Sequence, residues 1–292
     1  MSDAAGSSSA ATTNGVTADT GPLKARPALA VATLCRRELV RFLRQRNRVF
    51  GALGQPIIFW LLFSEGFRGS DIDYLHFFPG TLVMILLFTA IFATISIIED
   101  RREGFLQSVL VAPVPRWAMT FGMISGGATL AMIQALLFLV LGYVTLDGLT
   151  TDPLLVVQLL LMMAVIAIAL TSLGFILAWQ MESTHGFHAI MSLVLLPMWL
   201  LSGAFFPAGT EGTGWLSWIV RANPLTYGVS GLRQLLVHGG QTLTNGGQGA
   251  DVGATAGSSL AVCWVVTILF AGVAFAVACY SSRRSTKGDL LS

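Results

Sequence analysis

The sequence predicts an all-α, polytopic membrane protein with six transmembrane helices. Three observations carry that prediction. Hydrophobic residues make up 54% of the 292 positions and charged residues only 11%, whereas soluble domains carry roughly a quarter charged residues to cover their surface. Several apolar runs exceed the ~18 residues that mark a spanning helix. These runs lack the apolar–polar alternation of a barrel strand, so their backbone must satisfy itself within helices. The net charge of +2 points to no nucleic-acid partner; its distribution carries information about topology.

Residues 1–28 are rich in Ser, Ala, Thr and Gly and have no apolar period, which predicts a disordered cytoplasmic tail. No signal peptide is expected, because the basic residues follow this tail and no cleavage-type apolar region precedes them. Over residues 29–48 the pattern changes. Arg37, Arg41, Arg44 and Arg48 recur at helical spacing, while Val31, Cys35, Leu39 and Phe42 line another face. That predicts a cationic amphipathic helix lying among anionic lipid headgroups.

The first span covers residues 49–67, with Pro56 near its start and Glu65 close enough to Arg68 to pair at the far surface. The second covers residues 77–98, the third 117–146, the fourth 153–179, the fifth 187–206 and the sixth 258–280. Together they make a transmembrane domain over residues 49–284, followed by a cytoplasmic tail over 285–292. Orientation follows from Lys and Arg. With the N-terminus inside, only Arg68, Arg221 and Arg233 fall on the far side, which places both termini in the cytoplasm. Cys263 and Cys279 share one apolar run and would lie about 24 Å apart along a helix, too far to bridge.

Two interruptions stand out. Residues 99–117 read E-D-R-R-E-G-F-L-Q-S-V-L-V-A-P-V-P-R-W, the only dense charge cluster between two long apolar runs. Phe105 with Val109, and Leu106 with Leu110, share a face if this piece is helical. It should lie flat at the cytoplasmic surface, its apolar side on the membrane end of the bundle. The second interruption, residues 207–257, is external. Asn223-Pro224 is a helix start, with Asn as cap and Pro in the first turn. Leu225, Val229, Leu232 and Leu236 then hold a helical stripe until Gly239-Gly240. Short helices that re-enter the outer leaflet are expected here, with Trp215 and Trp218 as interface anchors.

No catalytic constellation appears. His185 and His188 could form half a metal site beside Glu182, but no further ligand completes it, and interfacial histidines explain the pair more simply. A phosphate-binding loop needs Gly-Lys, and the two lysines, Lys24 and Lys287, follow Leu and Thr. The second to sixth spans carry no acid in their interiors, where ion-coupled transporters keep theirs. A transporter of this kind must draw its energy from elsewhere, and residues 99–117 are the obvious port. The rival readings are a non-transporting scaffold subunit and a membrane-embedded enzyme.

Three stretches resemble one known family, the permease subunits of type-2 ABC exporters (the ABC-2 membrane family), which includes drug-resistance, polysaccharide and nodulation-factor exporters. They are F-F-P-G at residues 77–80, the charged segment from Glu99 to Arg116, and L-S-G-A-F-F-P at 201–207 with N-P-L-T-Y-G-V-S-G-L-R at 223–233. The resemblance runs from about residue 30 to the end of the chain. It implies a cytoplasmic coupling helix seated in a groove of a separate ABC ATPase subunit, with Glu99, Asp100, Arg101, Arg102, Glu103 and Gly104 at that contact. It implies that the amphipathic helix also touches the ATPase, and that a second permease copy or a paralogue completes the unit. Leu201, Ser202, Gly203, Phe205, Phe206, Pro207, Asn223 and Pro224 would form the external gate. The chain itself would bind no cofactor or metal, with ATP and Mg on the partner ATPase. The expected function is ATP-driven export of a hydrophobic, amphipathic or lipid-linked substrate across the cytoplasmic (inner) membrane.

Overall fold

The computed structural model describes residues 27–45, seven positions between 50 and 65, and residues 74–112, 114–146, 149–204, 214–237 and 259–284. The described residues are helical, with no strand among them. The helices are α1 (Pro27–Arg44), α2 (Tyr74–Arg102), α3 (Phe105–Val111), α4 (Arg116–Thr145), α5 (Pro153–Gln180), α6 (Thr184–Trp199), α7 (Gly214–Ala222), α8 (Pro224–Val237) and α9 (Leu260–Arg284). A π-type turn, Leu200–Ala204, continues α6.

Five of these elements are long and apolar enough to cross a membrane: Phe77–Arg102, Arg116–Thr145, Pro153–Gln180, Thr184–Ala204 and Leu260–Arg283. They match the second to sixth expected spans. The first expected span, with the Glu65–Arg68 pair, lies outside the described residues apart from those seven positions, so five spans rather than six stand among the described residues.

Helix α2 is the axis of the bundle. It packs on α1, α4, α5, α6 and α8, and 89% of its apolar window is buried, against 22% for α9. Helix α2 is apolar on every side and carries Phe78, Leu82, Leu86, Leu87 and Ile91, all fully buried, as expected of a helix surrounded by protein. Helix α9 instead turns Val262, Val265, Ile268, Leu269, Val273 and Val277 outward, an aliphatic face suited to lipid.

Small residues set the spacing between spans. A Cβ added at Gly127 would stand 2.7 Å from Thr171, one at Gly174 2.9 Å from Thr94, and one at Gly142 2.2 Å from the Phe78 ring. These contacts bring α4 against α5 and α2 more closely than larger residues allow. Gln134, within the third expected span, is buried and accepts the Thr89 hydroxyl at 2.5 Å. At the start of α5, Asp152 caps the helix by accepting from the Leu154 N–H at 3.0 Å, with Pro153 in the first turn.

Candidate functional site

The residues singled out by sequence gather at the two ends of the bundle. One end holds the charged segment. Residues 99–102 form the last turn of α2. The chain breaks at Gly104, whose φ of 76° lies in the left-handed region, and α3 follows. A Cβ at Gly104 would meet nothing within 4 Å, so the glycine is needed for its backbone conformation alone.

Helix α1 clamps this segment. Asp100, 0% exposed, accepts two hydrogen bonds at 2.7 Å from the Arg37 guanidinium and a third, short one from Arg41. Arg41 also donates to Glu99 at 2.9 Å and stands 3.5 Å from Glu103. The fork of a guanidinium matches a carboxylate in two parallel bonds, which fixes direction as well as charge. Arg37 further stacks over the Phe105 ring, its guanidinium carbon 3.6 Å from the centroid. Its hydrogen bond to Asp100 raises the Arg37 pKa further.

The arginines of the expected headgroup face of α1 divide. Arg37 and Arg41 face the protein, Arg44 is exposed, and Arg48 lies outside the described residues. The inward face is centred on Leu34, Glu38 and Phe42, with Val31, Cys35 and Leu39 half-buried beside it. Two glycines one turn apart make room for it. A Cβ at Gly122 would meet Leu34 at 2.9 Å, and one at Gly126 would meet Glu38 at 2.7 Å. The G-x-x-x-G spacing at residues 122–126 was the sequence signal that α1 has a docking track on α4. Burial pushes the Glu38 carboxyl above the usual range, against a hydrogen bond with Ser96 and the charge of Arg37 and Arg41 that pull it down.

Arg101 and Arg102 turn to a different neighbour. Arg101 donates to the Trp179 carbonyl at 2.6 Å and lies over the Trp179 ring. Arg102 donates twice to the Glu182 carbonyl, at 3.1 and 2.8 Å. The two cations thus meet carbonyls at and just beyond the C-terminus of α5, where the helix dipole is negative and the last carbonyls lack helical donors. Glu103 is open, its side chain 62% exposed. Helix α3 buries Leu106 and packs Phe105, Val109 and Leu110 on the core. Its other face leaves Gln107 and Ser108 exposed, with Val111 at 86%.

His185 and His188 are exposed on α6, and the His188 ring lies 5.8 Å from Phe92. Among the described residues no three His, Cys, Asp or Glu gather as metal ligands.

The opposite end holds the expected gate residues. Leu201, Ser202 and Gly203 lie in the π-type turn, and Gly203 takes a φ of 75°. Phe205, Phe206 and Pro207 lie outside the described residues. Asn223 caps α8 as its residue type predicts, accepting from the Leu225 N–H at 3.0 Å. Its amide also donates to the Met198 carbonyl at 2.6 Å. The stripe Leu225, Val229, Leu232 and Leu236 is fully buried, and Trp218 on α7 is exposed. Trp199 Nε1 donates to the Gly80 carbonyl at 3.0 Å, and a Cβ at Gly80 would stand 2.7 Å from Ala204. The F-F-P-G and L-S-G-A stretches therefore touch. Pro224, in the first turn of α8, is half-buried.

A protein of Cyanophora paradoxa described as a transport permease, ycf38, is 28% identical over 214 residues, 70% of this chain and 73% of the relative. Its counterpart in Porphyra purpurea is 23% identical over the same shares. The daunorubicin resistance ABC transporter permease protein DrrB1 of Streptomyces coeruleorubidus is 26% identical, over 75% of this chain and 78% of the relative. The family model for ABC-2 type transporters matches residues 30–237, a stretch that begins within α1 and ends with α8. The chain belongs to the ABC-2 type transporter family.

Proposed function

We propose that this chain is the permease subunit of an ATP-driven exporter that moves a hydrophobic, amphipathic or lipid-linked substrate out of the cytoplasm. Members of the family are membrane permeases of ABC transporters, and ATP hydrolysis belongs to a separate ABC ATPase. The name of the daunorubicin resistance relative supports an amphipathic cargo. The chain sits in the cytoplasmic membrane with both termini inside, and a second permease copy or a paralogue completes the transport path.

The observation that carries the reading is the clamp at the charged end. Force applied to α3 cannot dissipate in a loose loop, because Asp100 and Glu99 tie the end of α2 to α1, and Arg101 and Arg102 tie it to the end of α5. A push is therefore delivered to three helices at once. The exposed face of α3, with Gln107, Ser108 and Val111, is the surface offered to the ATPase, joined by Glu103. On this reading Glu99, Asp100, Arg101 and Arg102 frame the coupling helix, and Glu103 with α3 touches the partner.

The test is a photo-crosslinking residue placed at Val111 or at Leu106 in the full chain in its own membranes. Val111 is expected to capture a protein carrying a phosphate-binding loop, and the buried Leu106 position is not. Inside-out vesicles holding the captured pair should take up daunorubicin only with ATP. Capture of no such ATPase overturns the coupling assignment. Capture without uptake overturns the cargo class.

A further inference from the structure

We propose that a small cavity between α2, α4 and α5 is a binding site for one water molecule, which bridges α2 to α5 through the hydroxyls of Thr94 and Thr171. The cavity has a volume of about 10 Å³, and its walls include Ala93, Thr94 and Ser96 of α2, Gly127 of α4, and Thr171 and Phe175 of α5. Thr94, Ser96 and Thr171 are all buried. A space of that size holds a single water where two or more polar partners line it.

The chemistry of the walls selects the occupant. A hydroxyl has one proton to donate and two lone pairs that accept. The Thr94 hydroxyl donates to the Ile91 carbonyl at 2.7 Å, the Thr171 hydroxyl to the Ala167 carbonyl at 2.7 Å, and the Ser96 hydroxyl to the Ala93 carbonyl at 2.9 Å. Each proton is thus used within its own helix, and neither threonine can donate to the other across the cavity. Ser96 is further engaged by Glu38 of α1. What the cavity offers is a pair of acceptors, one on α2 and one on α5. Water carries two protons and satisfies both. A cation would also suit acceptors, but no acidic side chain is among the described lining residues. A bare charge there loses far more hydration than a neutral water does.

Glycines make the room. A Cβ at Gly127 would stand 2.7 Å from Thr171 Cγ2 and 3.3 Å from Ala93 Cβ, and one at Gly174 2.9 Å from Thr94 Oγ1. Both threonines therefore pack against bare backbone of the facing helix. The site lies just inside the charged end. Phe175, in its wall, stacks on Trp179 with ring centroids 5.4 Å apart, and Arg101 lies over Trp179. The water continues inward the tie between α2 and the end of α5 that Arg101 and Arg102 make nearer the surface.

The experiment is X-ray radiolysis of the full chain in lipid nanodiscs, with a radical scavenger in the buffer, read by mass spectrometry at Met123. Met123 lines the cavity and is 5% exposed, so a water bound there releases hydroxyl radicals against its thioether. Met163, fully buried and not among the lining residues, is the control. Oxidation of Met123 to the sulfoxide is expected at least ~5-fold faster than that of Met163, and at least ~3-fold slower in the isosteric double variant Thr94→Val with Thr171→Val. Thr171→Ser, which keeps the hydroxyl, should stay within about twofold of the natural rate. Equal rates at the two methionines overturn the site, and so does an unchanged Met123 rate in the double variant. If the double variant speeds Met163, the bundle has loosened and the single variant Thr171→Val decides instead. A Met123 rate that does not fall there relative to Met163 overturns the bridge. A Met123 rate that falls when choline chloride in the buffer is replaced by sodium chloride marks a cation as the occupant and overturns the choice of water.

Discussion

The two ends of the bundle face one problem, the unsatisfied termini of several helices, and meet it with opposite chemistry. At the α3 end, carboxylates and guanidinium groups pair with each other, and spare cations meet the end of α5. At the opposite end, among the described residues, neutral donors and the buried cation Arg233 meet backbone carbonyls of α6, and a tryptophan donates to α2. The first arrangement is strong, directional and shared among α1, α2 and α5. The second centres on backbone carbonyls around one glycine with positive φ.

The largest expected effect breaks the rigid end. Asp100→Ala leaves Arg37 and Arg41 facing inward without their carboxylate. Breaking a buried pair costs about 3–5 kcal/mol, discounted to about 2–3 kcal/mol because the two arginines keep 28% and 18% side-chain exposure. A fall in the melting temperature in detergent, with new labelling of Leu34→Cys on α1, measures it. Glu99→Ala, at a side chain 29% exposed, should cost under about 1 kcal/mol. Equal effects of the two would show that α1 is not held by Asp100.

Overpacking comes next. Gly142→Ala drives a methyl into the Phe78 ring, which is fully buried and stacked 5.1 Å from Phe138, and should cost about 1–3 kcal/mol at the gate end. Gly126→Ala meets Glu38 on α1 and should loosen the clamp instead. Labelling at Ala204→Cys and Leu34→Cys should separate the two variants. Gly104→Ala is smaller, about 1 kcal/mol, because only the left-handed backbone is strained. Its effect should appear in crosslinking from α3 more than in melting.

The smallest effect is a pH dependence at Glu38. Its carboxyl is raised by burial, with Ser96 and Asp100 of α2 and Arg37 and Arg41 of its own helix around it. A raised carboxyl favours the docked state fully below the ordinary carboxylate range, and that contribution is lost as pH rises through the raised value. Docking of α1 should therefore tighten on acidification, read as slower labelling of Leu34→Cys, and Glu38→Gln should flatten the profile.

Much of this was legible in the chain. The five described spans follow from apolar runs that need helices in a membrane, and the Asn223 cap, the Leu225–Leu236 stripe and the short helix after Gly104 follow from local chemistry. The charged segment stands out in the sequence, but the partners of its residues do not. Glu99, Asp100, Arg101 and Arg102 look identical in sequence to charges offered to water. Arg37 and Arg41 look like a headgroup face, since helical periodicity gives a face and not what lies opposite it. The spacing of Gly122 and Gly126 was the one local sign that α1 docks on protein.

Sequence by itself determined the solvent, the helices and their breaks, because a bilayer forces the backbone to satisfy itself and glycine or proline marks where it stops. Tertiary structure alone decided which charges are paired and which remain open. Asp100 lies 63 positions from Arg37 and Arg233 lies 30 from Gly203, and a pairing between such distant residues exists only once α1 has docked on α4 and α8 has folded against the end of α6.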